Sequence, residues 1–119
     1  MKKQIHESLS KLLVSKLESH KESKLTSSTC ISIYTDIFNC IVEVFQESEI
    51  PLSNEAANLV AQMYYDSVKI NNREELDPNI FDKRAKLENV TTKELAMLGT
   101  MFSGTPFAPI FIYEVKKRS

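Results

Sequence analysis

The chain has 119 residues, of which 42% are hydrophobic and 26% are charged, and its formal net charge at pH 7 is −1. This length and composition predict one folded domain over residues 1–119, and they exclude a disordered chain or a pair of full-sized domains. Only two glycines and four prolines occur, too few turn residues for a sandwich or barrel of many short strands. We therefore predict a single all-α domain, a compact bundle of five to six helices.

The N-terminal segment does not have the pattern of a targeting sequence. After Lys2 and Lys3 it alternates polar and apolar positions, whereas a signal peptide contains an unbroken apolar run. No stretch of the chain approaches the roughly 18 consecutive apolar residues of a membrane span. We expect a cytoplasmic protein with no membrane partner.

Two amphipathic helices are predicted in the first half of the chain. The apolar residues of the first helix recur at helical spacing and form one stripe: Ile5, Leu9, Leu12, Leu13 and Leu17. A Ser/Thr cluster then supplies N-cap candidates for a second helix from about Thr29 to Gln46. Ile33, Ile37 and Ile41 lie on one side of it, and further apolar residues widen the arc. A helix that is apolar over so much of its circumference is expected at the centre of the fold.

Two more helices are predicted from their start signals. Ser53 reads as the N-cap of a third helix that runs to about Ile70. Asp77 followed by Pro78 marks the start of a short fourth helix ending near Asn89, because aspartate caps free amides and proline fits the first helical position.

Thr91 and Glu94 have the spacing of a capping box, which predicts that a fifth helix starts at Thr92. Its predicted apolar edge is formed by Leu95, Leu98 and Phe102. Gly104 is a candidate for the left-handed residue that follows the helix.

The C-terminal segment, residues 109–116, suits either a short strand or a helix. A lone strand would leave backbone amides unpaired in a helical chain, so we favour a sixth helix from about Pro109. This helix is expected to bury four apolar side chains: Phe107, Ile110, Phe111 and Val115.

The segment from Thr91 to Phe111 invites comparison with a DNA-reading helix-turn-helix, since a capped helix is followed by a glycine and a second apolar segment. The phase is wrong, however, because Thr100 stands where the turn needs a small residue and Gly99 comes one position early. The second segment offers Pro, Phe, Ala and Ile side chains, which cannot read the hydrogen-bonding groups of base edges. We favour a helix pair whose connection brings apolar residues to the core or to a partner surface.

Charge is segregated along the sequence. From Lys2 to Lys24 the net charge is +3, from Asp36 to Asp82 it is −8, and from Lys83 to the end it is +4. Two interpretations remain open. Opposite charges meet across the surface and add mainly solubility, or the acidic middle segment forms a patch that steers a basic partner.

The sequence contains no recognisable catalytic, metal or cofactor site. His6 and His20 are fourteen residues apart on one predicted helix, about 21 Å, too far to share a metal ion, and both are expected on its exposed side. Cys30 and Cys40 are ten residues apart on the second helix, about 15 Å, which exceeds the reach of a disulfide. We expect reduced, buried cysteines and a protein that is not an enzyme.

These patterns favour a non-enzymatic protein that binds another protein of basic character. The most concrete version is a small bacterial immunity protein that blocks a basic, nuclease-type toxin through an acidic face. The residues expected to bind the partner are Glu43, Glu47, Tyr64, Tyr65, Asp66, Glu74, Glu75 and Asp77. The two tyrosines are included as aromatic anchors, because adjacent helical positions are not expected to face the core together. The alternatives are a nucleic-acid-associated regulator using the basic ends, and an adaptor or assembly chaperone using an apolar patch over residues 107–113.

Overall fold

The computed structural model describes residues 3–20, 26–67, 69–70, 74–75, 80–81 and 84–119. Five α-helices follow one another: α1 (Lys3–Glu18), α2 (Ser27–Glu47), α3 (Asn54–Ser67), α4 (Thr92–Met101) and α5 (Ala108–Arg118). Among the described residues, the extended pairing is a two-residue antiparallel ladder between β1 (Lys69–Ile70) and β2 (Glu74–Glu75). The prediction of an all-α fold is confirmed.

The second helix packs against both α1 and α3. Its predicted inner side is buried, with Ile33, Ile37 and Ile41 each 0% exposed. The side chain of Thr26 accepts a hydrogen bond from the amide of Thr29, which caps the helix and starts it two residues before the predicted position. By length and composition alone α2 is long and apolar enough to cross a membrane; in this fold it packs between α1 and α3.

The third helix starts as predicted and ends earlier. The Ser53 hydroxyl accepts the amide of Ala56 at 3.2 Å, the bond expected of an N-cap. The helix ends at Ser67, whereas the prediction carried it to about Ile70; Ile70 lies instead in β1. The apolar residue Ile70 continues the helical spacing, but an apolar residue is equally common in a strand. Periodicity alone therefore placed the end of this helix too late.

The predicted fourth helix does not form over its described residues. Lys86 is extended, with φ −117° and ψ 139°, and only a 3₁₀ helix follows it at Leu87–Asn89. The predicted start signal at Asp77 and Pro78 lies outside the described residues. The backbone amide of Ala85 donates to the side chain of Gln62 on α3, so this segment is held against the fold without being an α-helix.

The fourth observed helix, α4, starts at Thr92 as predicted, but Glu94 does more than cap its own helix. The Thr91 hydroxyl accepts the amide of Glu94 at 3.2 Å, which is half of a capping box. The Glu94 carboxylate bonds instead to Ser53, accepting its backbone amide and its hydroxyl, each at 2.9 Å. One glutamate therefore ties the start of α4 to the start of α3.

We expect Glu94→Ala to lower the free energy of unfolding by about 2 kcal/mol, because it removes two charge-assisted bonds from a half-buried helix start. The free energy of unfolding of Glu94→Gln should lie between those of Glu94→Ala and the wild type, since an amide oxygen still accepts a hydrogen bond. Urea unfolding followed by circular dichroism measures both. The matched control is Glu88→Ala, whose side chain is 70% exposed; a loss as large as that of Glu94→Ala there would contradict the assignment.

The C-terminal segment is a helix, α5, as favoured over a strand. Phe111 is 0% exposed as predicted, but Ile110 is 43% exposed, so its predicted burial is wrong. The helix begins one residue before the predicted start, and Ala108 faces the core in place of Ile110. Gly104, in the connection from α4, has φ +87°, the left-handed conformation expected of it.

Candidate protein-binding surfaces

The exposed acidic residues of α2 form a short edge on its outer side. Glu43 and Glu47 are both exposed and are one helix turn apart, so they lie on the same side. Asp36, two turns before Glu43, shares that side, but its carboxylate is 2.8 Å from Nε2 of His20. Within the described part of the chain, no basic side chain lies within ion-pair distance of Glu43 or Glu47. We call Glu43 and Glu47 the α2 acidic edge.

Glu49 continues this acidic end in a strained backbone conformation. Its φ is +59°, the left-handed region that glycine usually occupies. The amide of Glu49 bonds to the carbonyl of Gln46, and the amide of Ile50 bonds to that of Phe45, each at 3.0 Å. These two bonds define a Schellman motif that ends α2, with a glutamate at the position where glycine is most favourable.

Glu49→Gly should raise the free energy of unfolding by about 1 kcal/mol, because it relieves the left-handed strain without breaking either bond of the motif. Thermal or urea unfolding measures the change. Gln46→Gly, three residues earlier on the exposed side of the helix, is the control and should destabilise by about 1 kcal/mol. If both variants were destabilised, the left-handed assignment of Glu49 would be wrong.

Two other acidic residues of the middle segment, Asp66 and Glu55, lie near cations. Asp66 receives two hydrogen bonds from the Arg84 guanidinium, at 3.1 and 3.0 Å. The same guanidinium lies over the ring of Phe81, 4.9 Å from its centroid. Glu55 lines a cleft of about 370 Å³ together with Arg84 and Lys86. The middle segment therefore does not present all its acids as one uncompensated face.

The base of that cleft is aromatic and hydrogen-bonded. The Tyr34 hydroxyl donates to Oδ1 of Asn58 at 2.8 Å. Burial raises the pKa of this hydroxyl, and a hydrogen bond from Gln62 partly opposes that rise. The Tyr34 ring meets Phe81 edge-on at 4.7 Å. These contacts hold the aromatic lining of the cleft in place.

The remaining predicted partner-binding acids lie in the segment that follows α3. The backbone of Glu74 and Glu75 forms β2. Asp77 lies outside the described residues. Their assignment as partner-binding residues stays a prediction from the sequence.

Both predicted aromatic anchors are inside the protein. Tyr64 is 6% exposed and Tyr65 is 1% exposed, so the expectation that adjacent positions could not both face the core was wrong. The reason is that α3 has neighbours on two sides. Tyr65 faces Phe81 at 5.2 Å, whereas Tyr64 packs edge-on against Phe107 at 4.9 Å. Neither ring is placed to anchor a partner on the surface of this structure.

The histidines and cysteines serve the fold. Neither histidine is on an exposed helix face as expected: Nδ1 of His6 is 2.8 Å from the Tyr64 hydroxyl, and His20, beyond the end of α1, bonds to Asp36. Burial raises the pKa of Tyr64 above its ordinary value. Cys30 and Cys40 are free and buried as predicted. Burial also raises the pKa of the Cys40 thiol, an effect that nearby Lys16 opposes.

One of the basic residues at the C-terminus, Arg118, makes internal contacts. The Arg118 guanidinium donates to the carbonyls of Leu87 and Val90, both at 2.8 Å. It also bonds to the hydroxyl of Thr92 at 3.1 Å and to the carboxylate of Glu114 at 3.2 Å. The last turn of α5 is thereby fastened to the start of α4.

Comparison of the sequence with protein-family models and with curated proteins, and of the structure with solved structures, finds no match.

Proposed function

We propose that this protein acts by binding a basic protein through the α2 acidic edge. In the most concrete version it is a small bacterial immunity protein that neutralises a nuclease-type toxin by occupying its cationic active site. Glu74, Glu75 and Asp77 belong to this proposal on the strength of the sequence alone.

The α2 acidic edge is the observation that supports this function most directly. Two exposed carboxylates lie one turn apart with no described cation within 4.0 Å, so both are available to a basic partner; Lys16, which acts on Cys40 one turn earlier, is the nearby described cation. The negative charge of these carboxylates steers a basic partner during encounter and fixes its orientation in the complex. Glu49 adds a third carboxylate at a position where glycine would be more stable, and strain of this kind is concentrated at functional sites.

Reversing both charges, Glu43→Lys with Glu47→Lys, should weaken binding to the basic partner by about 30-fold or more and flatten its dependence on salt. The physical reason is that both association steering and contact charge pairs are lost. Surface plasmon resonance at several salt concentrations measures the rate constants and the slope together. Because both positions are exposed, the fold should be retained, which circular dichroism checks.

The matched control carries the same change of net charge at two other exposed glutamates, Glu7→Lys with Glu88→Lys. This control separates a local effect of α2 from an effect of net charge. Equal weakening in both double variants would leave no role for the α2 acidic edge.

A nucleic-acid-associated regulator would use the basic ends of the chain. The internal bonds of Arg118 withdraw that guanidinium from phosphate binding. The outer side of α5 presents Ile110 and Tyr113 where a recognition helix would present polar side chains. These features favour a protein partner over a duplex.

A further inference from the structure

The exposed apolar residues of the described structure are concentrated on α5. Ile110, Ile112 and Tyr113 are 43%, 43% and 71% exposed. The other two large apolar side chains exposed in the described residues, Val14 and Ile31, stand singly on α1 and α2. Ile110 and Tyr113 are three residues apart and share one side of α5, whereas Ile112 lies on the side that faces α4. Single exposed apolar residues are ordinary, whereas several on one short helix are typical of a contact surface.

A groove of about 440 Å³ lies between α4 and α5, and of the three exposed apolar residues of α5 it is Ile112 that lines it. The wall formed by α4 and the turn after it is built from small residues three and four positions apart, which keeps it open: Ala96, Gly99, Thr100 and Ser103. The α5 wall is built from Ile112, Val115 and Lys116. A Cβ on Gly99 would lie 3.0 Å from Cγ1 of Ile112, so the two helices approach closely at this point.

The spacing of the residues that line the groove suits a helix. Ridges formed by side chains three and four residues apart pack into grooves of the same spacing on a neighbouring helix. The lining from Ala96 to Ser103 covers about 10 Å, enough to contact about two turns of a docked helix. Such a helix would place its apolar stripe against Ile112 and the small residues of α4.

Charge identifies the kind of helix. Lys116 is the charged residue that lines the groove, and Lys117 follows it on the exposed end of α5. The nearby carboxylate of Glu114 does not offset them, since it is 14% exposed and bonded to Arg118. A helix carrying acidic residues beside its apolar stripe would therefore be favoured over one carrying basic residues.

We propose that the α4–α5 groove binds an amphipathic helix of another protein, one with acidic residues flanking its apolar stripe. This site is separate from the α2 acidic edge and takes a partner of the opposite charge. The protein would then contact two different partners through two different faces.

Two synthetic helical peptides test the site. They share the same leucine positions, and one carries glutamates at the flanking positions while the other carries lysines. Each is titrated into the ¹⁵N-labelled full chain and followed by NMR. We expect the glutamate peptide to shift the amides of Gly99, Thr100 and Ile112, and to bind about tenfold more tightly than the lysine peptide.

Three variants make the test specific. Thr100→Tyr fills the groove from an exposed position of α4 and should abolish binding while the circular dichroism spectrum stays unchanged. Lys116→Glu should reverse the preference between the two peptides. Val14→Glu alters an exposed apolar residue on α1, which is 66% exposed, and should leave binding unchanged.

Equal binding of the two peptides, or no shift at these amides with millimolar peptide, would overturn the proposal. Sedimentation velocity of the chain alone tests whether a second copy of the same chain occupies the groove. If the protein self-associates and Thr100→Tyr abolishes that association, the groove binds a second copy of this chain and the proposed partner is wrong. The double variant at Glu43 and Glu47 should bind the peptides like the wild type, so failure of either proposed site can be told from failure of the other.

Discussion

Phe102→Ala is expected to lower the free energy of unfolding by about 3–5 kcal/mol, the largest stability effect of any single change considered. Phe102 is 0% exposed, and its ring centroid lies 6.2 Å from that of Tyr64 on α3 and from that of Phe111 on α5. It also meets His6 of α1 edge-on at 6.2 Å. One ring therefore joins the α4–α5 pair to the first and third helices, and its removal leaves a cavity that four elements would have to close.

Urea unfolding followed by circular dichroism measures this loss. If Phe102→Ala does not fold, Phe102→Leu keeps most of the buried volume and should show a smaller loss in the same direction. The control is Tyr113→Ala, an aromatic residue on α5 that is 71% exposed and should change stability by less than about 0.5 kcal/mol. Comparable losses at the exposed and the buried ring would contradict this packing.

Arg118→Ala is expected to cost about 2–3 kcal/mol, the second largest effect. Its guanidinium satisfies the carbonyls of Leu87 and Val90, and hydrogen bonds from a charged donor contribute more than neutral ones. The expected loss of stability is smaller than the summed contributions of the separate hydrogen bonds, because 24% of the side chain remains exposed to solvent.

Two comparisons isolate the geometry of this contact. Arg118→Lys should recover only part of the loss, because an ammonium group cannot span two carbonyls as a planar guanidinium does. Lys117→Ala removes a neighbouring exposed cation and should change stability by less than about 0.5 kcal/mol. Amide hydrogen exchange at α4 and α5 should accelerate in Arg118→Ala but not in Lys117→Ala. Acceleration in both variants would mean that the loss of a positive charge, and not the loss of the hydrogen bonds of Arg118, causes the change.

The parts of the fold that the sequence predicted are those with local physical causes. The cap at Ser53, the start of α4 after Thr91 and the left-handed Gly104 each depend on a side chain acting within a few residues. The inner side of α2 follows from periodicity alone, since its isoleucines recur at helical spacing. A helix was favoured for the C-terminal segment on other grounds, because a lone strand would leave its backbone amides unpaired in a helical chain.

The errors come from contacts between elements distant in sequence. Tyr64 and Tyr65 are both buried because α3 is covered on two sides, a fact that no helical period of its own reveals. Glu94 bonds to Ser53 across 41 residues of sequence instead of closing its own capping box. The exposure of Ile110 likewise depends on which side of α5 meets α4. Candidate sites suffer most, because a charge run along the sequence does not say which carboxylates are already paired, as Asp36 and Asp66 are.

A capture experiment from a lysate of the source organism tests the central claim, that the protein binds a basic partner through Glu43 and Glu47. The wild type and the Glu43→Lys, Glu47→Lys double variant are immobilised side by side and eluted with a salt gradient. We predict that the wild type retains one basic protein, released at moderate salt, and that the double variant does not retain it. Equal retention of that protein by both, or recovery of nucleic acid in its place, would contradict the claim.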